Sequence, residues 1–179
     1  SFDVRFPTSQ QLDGSDAMNP DPDYSAAYVV LRTNSADRCG YGMTFTIGRG
    51  NEICVAAIRS LASMLIGQSV ESLMAEPVTL YRKLTGDSQL RWIGPEKGVI
   101  HLAAAAVINA VWDLFARIQN KPVWQVVCDM SPEQFAASVD FRYLTDALTP
   151  NQAIELLDRH AATRRQRIEE LCNIGYPSY

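Results

Sequence analysis

The chain is poor in the residues that most often carry chemistry. Its 179 residues include two histidines, His101 and His160, and three lysines, Lys83, Lys97 and Lys121. Neither histidine has a partner at the i,i+3 or i,i+4 spacing that zinc ligands on one helix adopt. The four cysteines, Cys39, Cys54, Cys128 and Cys172, form no C-x-x-C pair, which removes zinc sites and dithiol redox motifs. They read as reduced thiols packed as small apolar residues in a cytoplasmic protein. No G-x-S-x-G elbow or phosphate-binding P-loop is present. Gly40-Tyr41-Gly42 begins like a dinucleotide fingerprint, but Met43, Thr44 and Phe45 follow where a glycine and a helix are required. Basic residues are outnumbered as well. Sixteen Lys plus Arg against twenty Asp plus Glu leave a net charge of -4, the wrong balance for a general phosphate-backbone binder. No apolar run reaches the ~20 residues of a membrane span, and residues 99–115 are interrupted by His101, Asn109 and Asp113. They read as a buried helix, so neither nucleic acid nor membrane is expected as a partner. The start, Ser1-Phe2-Asp3-Val4-Arg5, has no Met and no apolar signal segment; a trimmed chain without a secretion signal is expected.

What is abundant is apolar mass. At 47% apolar and 20% charged, the composition is that of a folded chain, with room for one domain or one small domain and a piece of another. Residues 2–6 are too few to judge, and Pro7 ends any strand there. Residues 8–24 are dominated by Asp, Asn, Gly, Ser and Pro, turn formers, over a length that marks a functional or disordered loop. Strands are expected over 26–33 and 40–47, joined by a turn at 34–37 and therefore antiparallel. After the break at Gly48-Arg49-Gly50 the period changes. Asn51 is placed as N-cap of a helix carrying Cys54, Ile58, Leu61 and Leu65 and ending at Gly67. Further helices are expected over 69–75, 77–84, 99–120 and 123–127, with a loop at 85–98 between the second and third of these. A strand is read at 139–144. Thr149-Pro150-Asn151-Gln152 has the form of a capping box, opening a helix to about Cys172 that stops at Gly175 with Pro177 beyond.

Carboxylates are the remaining candidates. Asp13, Asp16, Asp21 and Asp23 crowd the long loop, but Pro20 and Pro22 stiffen it and the closing Glu of a calcium loop is absent. Asp113 reads as a helix carboxylate that orients neighbouring backbone, and His101 as a hydrogen-bonded packing residue. Arg159, Arg164, Arg165 and Arg167, with Glu169 and Glu170 behind them, read as a solvated ion-paired face rather than an anion site. On residue chemistry alone the chain is not a self-sufficient enzyme.

Several segments carry a resemblance: residues 3–9, 13–28, 45–51, 89–101 and 140–143, and the central-helix stretch from Ala106 through Trp112-Asp113-Leu114 to Lys121-Pro122-Val123-Trp124. In these the chain resembles the sugar-acid dehydratases of the enolase superfamily, of the L-fuconate and L-galactonate dehydratase type. The resemblance implies an α+β fold, a small antiparallel β-meander followed by a helical bundle, as in an enolase-type N-terminal capping domain. It implies a capping domain over residues 1–128 and a lead-in, 129–179, to a (β/α) barrel missing from this chain. In that family Mg²⁺ binding and proton transfer belong to the barrel, through a Lys-x-Lys pair, three acidic ligands and a His. Three isolated lysines cannot supply the pair, so no catalytic residue, no metal ligand and no bound cofactor is expected here, with Mg²⁺ reserved for a full-length parent. The parent's implied activity is dehydration of a sugar acid to the 2-keto-3-deoxy acid. Two capping-domain loops would contact the sugar acid, the first through Gly14, Ser15, Asp16 and Tyr24, the second through residues 47–51. For Tyr24 simple strand-edge packing, and for Asp16 a turn-forming role, stand as alternatives. A further alternative for the whole chain is a non-catalytic binding module. Apolar surface meant for a barrel would make the isolated chain self-associate or pair with a barrel.

Overall fold

The computed structural model describes residues 1–94 and 96–175. Pro95, inside the expected 85–98 loop, and Pro177, beyond the last helix, lie outside the described residues. The chain divides into two compact units, Ser1–Val126 and Val127–Tyr179.

The first unit is a three-stranded antiparallel sheet covered on one face by helices. Strands β1 (Phe2–Arg5), β2 (Ser25–Arg32) and β3 (Cys39–Thr46) lie in the order β1-β2-β3. Phe2 is opposite Tyr28, and Tyr28 is opposite Met43. Along β3 the burial alternates, with Gly40, Gly42 and Thr44 inward and Tyr41, Met43 and Phe45 outward, as a sheet with one covered face requires. Helices α1 (Asn51–Ala62), α2 (Val70–Ala75), α3 (Pro77–Thr85) and α4 (Val99–Ile118) follow, and α5 (Val123–Asp129) crosses the unit boundary.

The glycines that failed as a nucleotide fingerprint have a packing role. A Cβ at Gly42 would lie 2.1 Å from the Ala106 carbonyl oxygen, and one at Gly40 equally close to that of Ala110. Ala103, Ala106 and Ala110 present the complementary small face on α4, so helix and sheet backbones approach closely. α4 is long and apolar enough to cross a membrane by length and composition, yet nine of its residues, including Val107, Val111 and Leu114, are buried in this core. Asp113 orients backbone as its position suggested. Its Oδ2 accepts from the Tyr41 N–H of the edge strand at 2.9 Å and from Arg117 Nε at 2.7 Å, while the Arg117 guanidinium lies 4.9 Å from the centre of the Tyr41 ring. His101 packs edge-on to Tyr81, but its buried Nδ1 has no hydrogen-bond partner among the described residues, so it is a packing residue without the expected bond.

Four local expectations are corrected. Gly50, at φ 96°, takes the N-cap position of α1, and Asn51 is the first helical residue with a buried side chain. α1 ends at Ala62; residues 63–67 tighten into turns through Met64 N–H to Leu61 O and Leu65 N–H to Ala62 O, which still deliver Leu65 to the core. Cys54 is buried, and burial raises its thiol pKa, but Cys172 is exposed rather than packed. The strand read at 139–144 is a short 3-10 turn, Phe141–Tyr143. Asp140 accepts from the Arg142 N–H at 3.2 Å, and Phe141 is buried among Ala136 and Ala153. The alternation is that of a capped turn around one anchor, and among the described residues no strand pairs with it.

The second unit holds α6 (Pro132–Ala137), α7 (Pro150–Ala161) and α8 (Arg164–Ile174). Ser131 and Thr149 both form complete capping boxes, with Gln134 and Gln152. The expected single helix to Cys172 is broken at residues 162–163. Of α7 only Ala153, near its start, is buried, and at the break the Arg167 guanidinium bonds the His160 carbonyl and the Thr163 hydroxyl. Arg164 leaves the expected solvated face, donating to the carbonyls of Cys128 at 2.6 Å and Met130 at 2.9 Å, whereas Arg165 makes the ordinary surface pair with Glu169.

Candidate functional site

The long loop between β1 and β2 is pinned at its base. The Thr8 hydroxyl donates to the Pro22 carbonyl at 2.7 Å and accepts from the Tyr24 N–H at 2.9 Å. The Ser9 hydroxyl and N–H both donate to Asp23 Oδ1, at 2.6 and 3.1 Å. The Phe6 N–H reaches the Tyr24 carbonyl at 2.8 Å. A polar 17-residue stretch is thereby held as a closed surface loop rather than a random connector.

Within it the four nominated residues divide. Gly14 and Tyr24 come together: the Tyr24 hydroxyl donates to the Gly14 carbonyl at 3.4 Å, and a Cβ at Gly14, whose φ is 72°, would fall 1.8 Å from that hydroxyl oxygen. The Tyr24 ring also stands edge-on to Phe45, 5.1 Å between centres. Asp16 organises the tip. Its Oδ1 accepts from the N–H groups of Met18 and Asn19 at 2.8 and 2.7 Å, and the Asp16 N–H returns to the Asn19 carbonyl at 3.0 Å. These bonds, Asn19 first, hold the Asp16 carboxyl below the usual carboxylate range. Ser15 is exposed, with its N–H on the Leu12 carbonyl.

The second loop, residues 47–50, is fixed against the first. The Asp23 N–H donates to the Ile47 carbonyl at 3.2 Å, and buried Gly48, at φ 122°, lies against the Asp23 backbone. Arg5 clamps the outer side, donating through Nη1 to the Gly48 carbonyl at 3.0 Å and through Nε and Nη2 to both oxygens of Asp3 at 2.8 Å. Its Nη2 also reaches Glu52 at 2.5 Å. Asn51 completes the frame from inside, donating to Asp3 Oδ1 at 2.6 Å and the Ala26 carbonyl at 3.2 Å and accepting from the Thr46 hydroxyl at 2.8 Å. Arg5 chiefly lowers Asp3, the Ser9 hydroxyl chiefly lowers Asp23, and Glu52 is lowered first by its own N–H and then by Arg5. The Arg5 guanidinium is held charged in return, chiefly by Asp3.

Between the loops lies a cavity of about 230 Å³, walled by residues 18–23 on one side and by Ile47, Gly48 and Arg49 on the other. None of Gly14, Ser15, Asp16 or Tyr24 lines it. Sequence reasoning reached the second loop but not the Arg5 clamp, because partners 43 and 47 residues apart leave no local signal. A larger cavity of about 900 Å³ lies by the β2–β3 turn, at the far end of the sheet, lined by Arg32, Arg38, Leu65 and Leu73 among others. Among the described residues Glu71 is the one acidic side chain that lines it. Among the described residues no three His, Cys, Asp or Glu side chains converge as ligands for a metal ion.

Residues 21–128 match the family model described as mandelate racemase / muconate lactonizing enzyme, N-terminal domain. The whole chain is 57% identical over 180 residues to an L-galactonate dehydratase of Hypocrea jecorina, of which it covers 40%. Over 178 residues, 99% of the chain, it is 52% identical to mitochondrial enolase superfamily member 1 of Xenopus laevis, again covering 40%. The crystal structure of human mitochondrial enolase superfamily member 1 superposes with a TM-score of 0.94 at 49% identity, over 99% of this chain and 40% of that one. The chain thus spans about 40% of the length of the curated relatives it matches.

Proposed function

Starting from the fact that the chain belongs to the mandelate racemase / muconate lactonizing enzyme family, whose N-terminal domain matches residues 21–128, we propose that it is the capping part of a sugar-acid dehydratase. In this reading residues 1–128 form the cap and residues 129–179 lead into a barrel. The substrate is a sugar acid of the L-galactonate or L-fuconate type and the product its 2-keto-3-deoxy acid. A base removes the proton α to the carboxylate, the β-hydroxyl leaves as water, and the resulting enol tautomerises to the ketone. In the full-length protein a bound Mg²⁺ would offset negative charge on the substrate's carboxylate; among the described residues no three His, Cys, Asp or Glu side chains converge as ligands for it.

The observation that carries the reading is the pair of loops pinned together around a polar cavity, in a chain 57% identical to a protein named for this dehydration. In this reading Gly14, Ser15, Asp16 and Tyr24 meet the sugar acid from the first loop outside the cavity itself, and the second loop supplies the wall opposite residues 18–23. Such a lid holds a polyhydroxylated acid and keeps water from the intermediate. The test is a dehydration assay with a library of sugar acids, run on this 179-residue chain and on a longer protein that carries the barrel. Turnover by the longer protein alone is expected. No turnover by either favours the alternative, a non-catalytic binding module. Turnover by the short chain would contradict the assignment of catalysis to the barrel. A cytoplasmic location belongs to the same proposal, and mitochondrial import of the full-length protein would overturn it.

A further inference from the structure

We propose that the cavity of about 900 Å³ beside the β2–β3 turn is a second ligand site, for an amphipathic monocarboxylate: an alkyl body of about eight carbons or more ending in one carboxylate. The site is separate from the two loops and does not rest on the dehydratase reading.

The walls are apolar and come from four places in the fold. Leu31 belongs to β2, Leu65 and Ile66 to the turns after α1, Leu73 to α2, and Leu114 and Ile118 to α4. Because α1 stops at Ala62 and α2 starts only at Val70, the connecting turns bury Leu65 but leave Ile66 81% exposed. A wall of this kind favours an alkyl body over a polyhydroxylated one, so the ligand is of a different class from a sugar acid.

Charge fixes the other end of the ligand. Among the described residues the charged side chains that line the cavity are Arg32, Arg38 and Glu71. Both guanidinium groups are exposed, and neither makes a hydrogen bond or an ion pair among the described residues. The turn that carries them is tied. The Thr33 N–H donates to the Arg38 carbonyl at 3.3 Å, and the Thr33 hydroxyl lies 3.0 Å from the Ser35 carbonyl and 3.1 Å from that of Arg38. Two cations against one carboxylate leave a single positive charge, which one anionic head neutralises. Guanidinium groups give up hydration readily and bind carboxylate through paired donors, which suits them to a head at the edge of an apolar wall.

The test uses the full-length protein that carries this chain, titrated calorimetrically in EDTA so that no metal elsewhere holds a carboxylate. The probes are hexanoate, octanoate, decanoate and octan-1-ol. Wild type is expected to bind one octanoate per chain, with affinity rising up to roughly fourfold for each added methylene, and to bind octan-1-ol at least roughly tenfold more weakly. The double variant Arg32→Met with Arg38→Met should lose roughly tenfold or more on octanoate and little on octan-1-ol. Ile66→Glu, at an exposed position that folding does not depend on, should weaken octanoate by a similar factor through repulsion. No saturable binding by wild type, as when another part of the longer chain fills the cavity, overturns the proposal. So does equal affinity for octan-1-ol, an affinity independent of chain length, or octanoate binding unchanged in both variants.

Discussion

Gly42 illustrates how one hydrogen atom in place of a methyl group decides packing. With the Ala106 carbonyl oxygen 2.1 Å from where a Cβ would be, Gly42→Ala must push β3 off α4. Overpacking of this kind costs about 1–3 kcal/mol, and rigid backbone leaves no flexible side chain to yield. Chemical denaturation of the variant should reach or exceed that loss; an unchanged midpoint would mean that the sheet and α4 do not approach so closely. Asp16 is a second residue where two roles separate by substitution. Asn keeps an oxygen that can accept from Met18 and Asn19, so Asp16→Asn preserves the turn and removes only the charge. In the barrel-containing protein it is expected to lower kcat/KM for the sugar acid by roughly tenfold, with melting temperature and Mg²⁺ affinity nearly unchanged. Unaltered kinetics would leave Asp16 as a turn-former alone.

At the scale of elements, the loops and caps are held by different chemistry and respond to different perturbations. Asp3, Asp16, Asp23 and Glu52 all sit below their ordinary values, 3.8 for Asp and 4.5 for Glu, because hydrogen bonds favour their charged forms. A depressed carboxylate contributes stability that is complete above the ordinary value and disappears as pH falls through the folded one. The two loops should therefore loosen on acidification below about pH 4 and be fully held at neutral pH. Amide chemical shifts of Ser9, Met18 and Asn19, followed by NMR through an acid titration, should move together in that range; shifts that stay constant to the point of global unfolding would contradict it. The helices of the second unit depend on caps that do not titrate near neutrality. Ser131→Ala and Thr149→Ala remove the side-chain acceptors for the Gln134 and Gln152 N–H groups, and each should cost about 1 kcal/mol by thermal melting.

For the whole molecule, the uncovered face of the sheet is the outstanding feature. Phe2, Tyr41, Met43 and Phe45 project from it and are each 40% exposed or more. Contiguous apolar surface of this kind drives association. The isolated 179-residue chain is expected to self-associate with rising concentration and to bind hydrophobic dyes, and Met43→Lys combined with Phe45→Lys should reduce both. Light scattering that reports a monomer at all concentrations, without dye binding, would refute this.

Local chemistry was legible in the sequence wherever partners are neighbours along the chain. The period-2 strands, the change of period after Gly50, the Thr149 capping box and the long polar loop all follow from side chains acting within a few residues. The Ser131-Pro132-Glu133-Gln134 box carried the same signal and was open to the same reading. Family membership was legible too, because it rests on residue identity. Tertiary structure alone decided the rest. It placed Gly40 and Gly42 against α4, gave Arg5 its clamp on a loop 43 residues away, buried Asn51 where a helix cap was expected, and turned the alternating 139–144 segment into a capped turn. Each of these depends on a partner brought near by folding, and a one-dimensional pattern contains no term for such a distance.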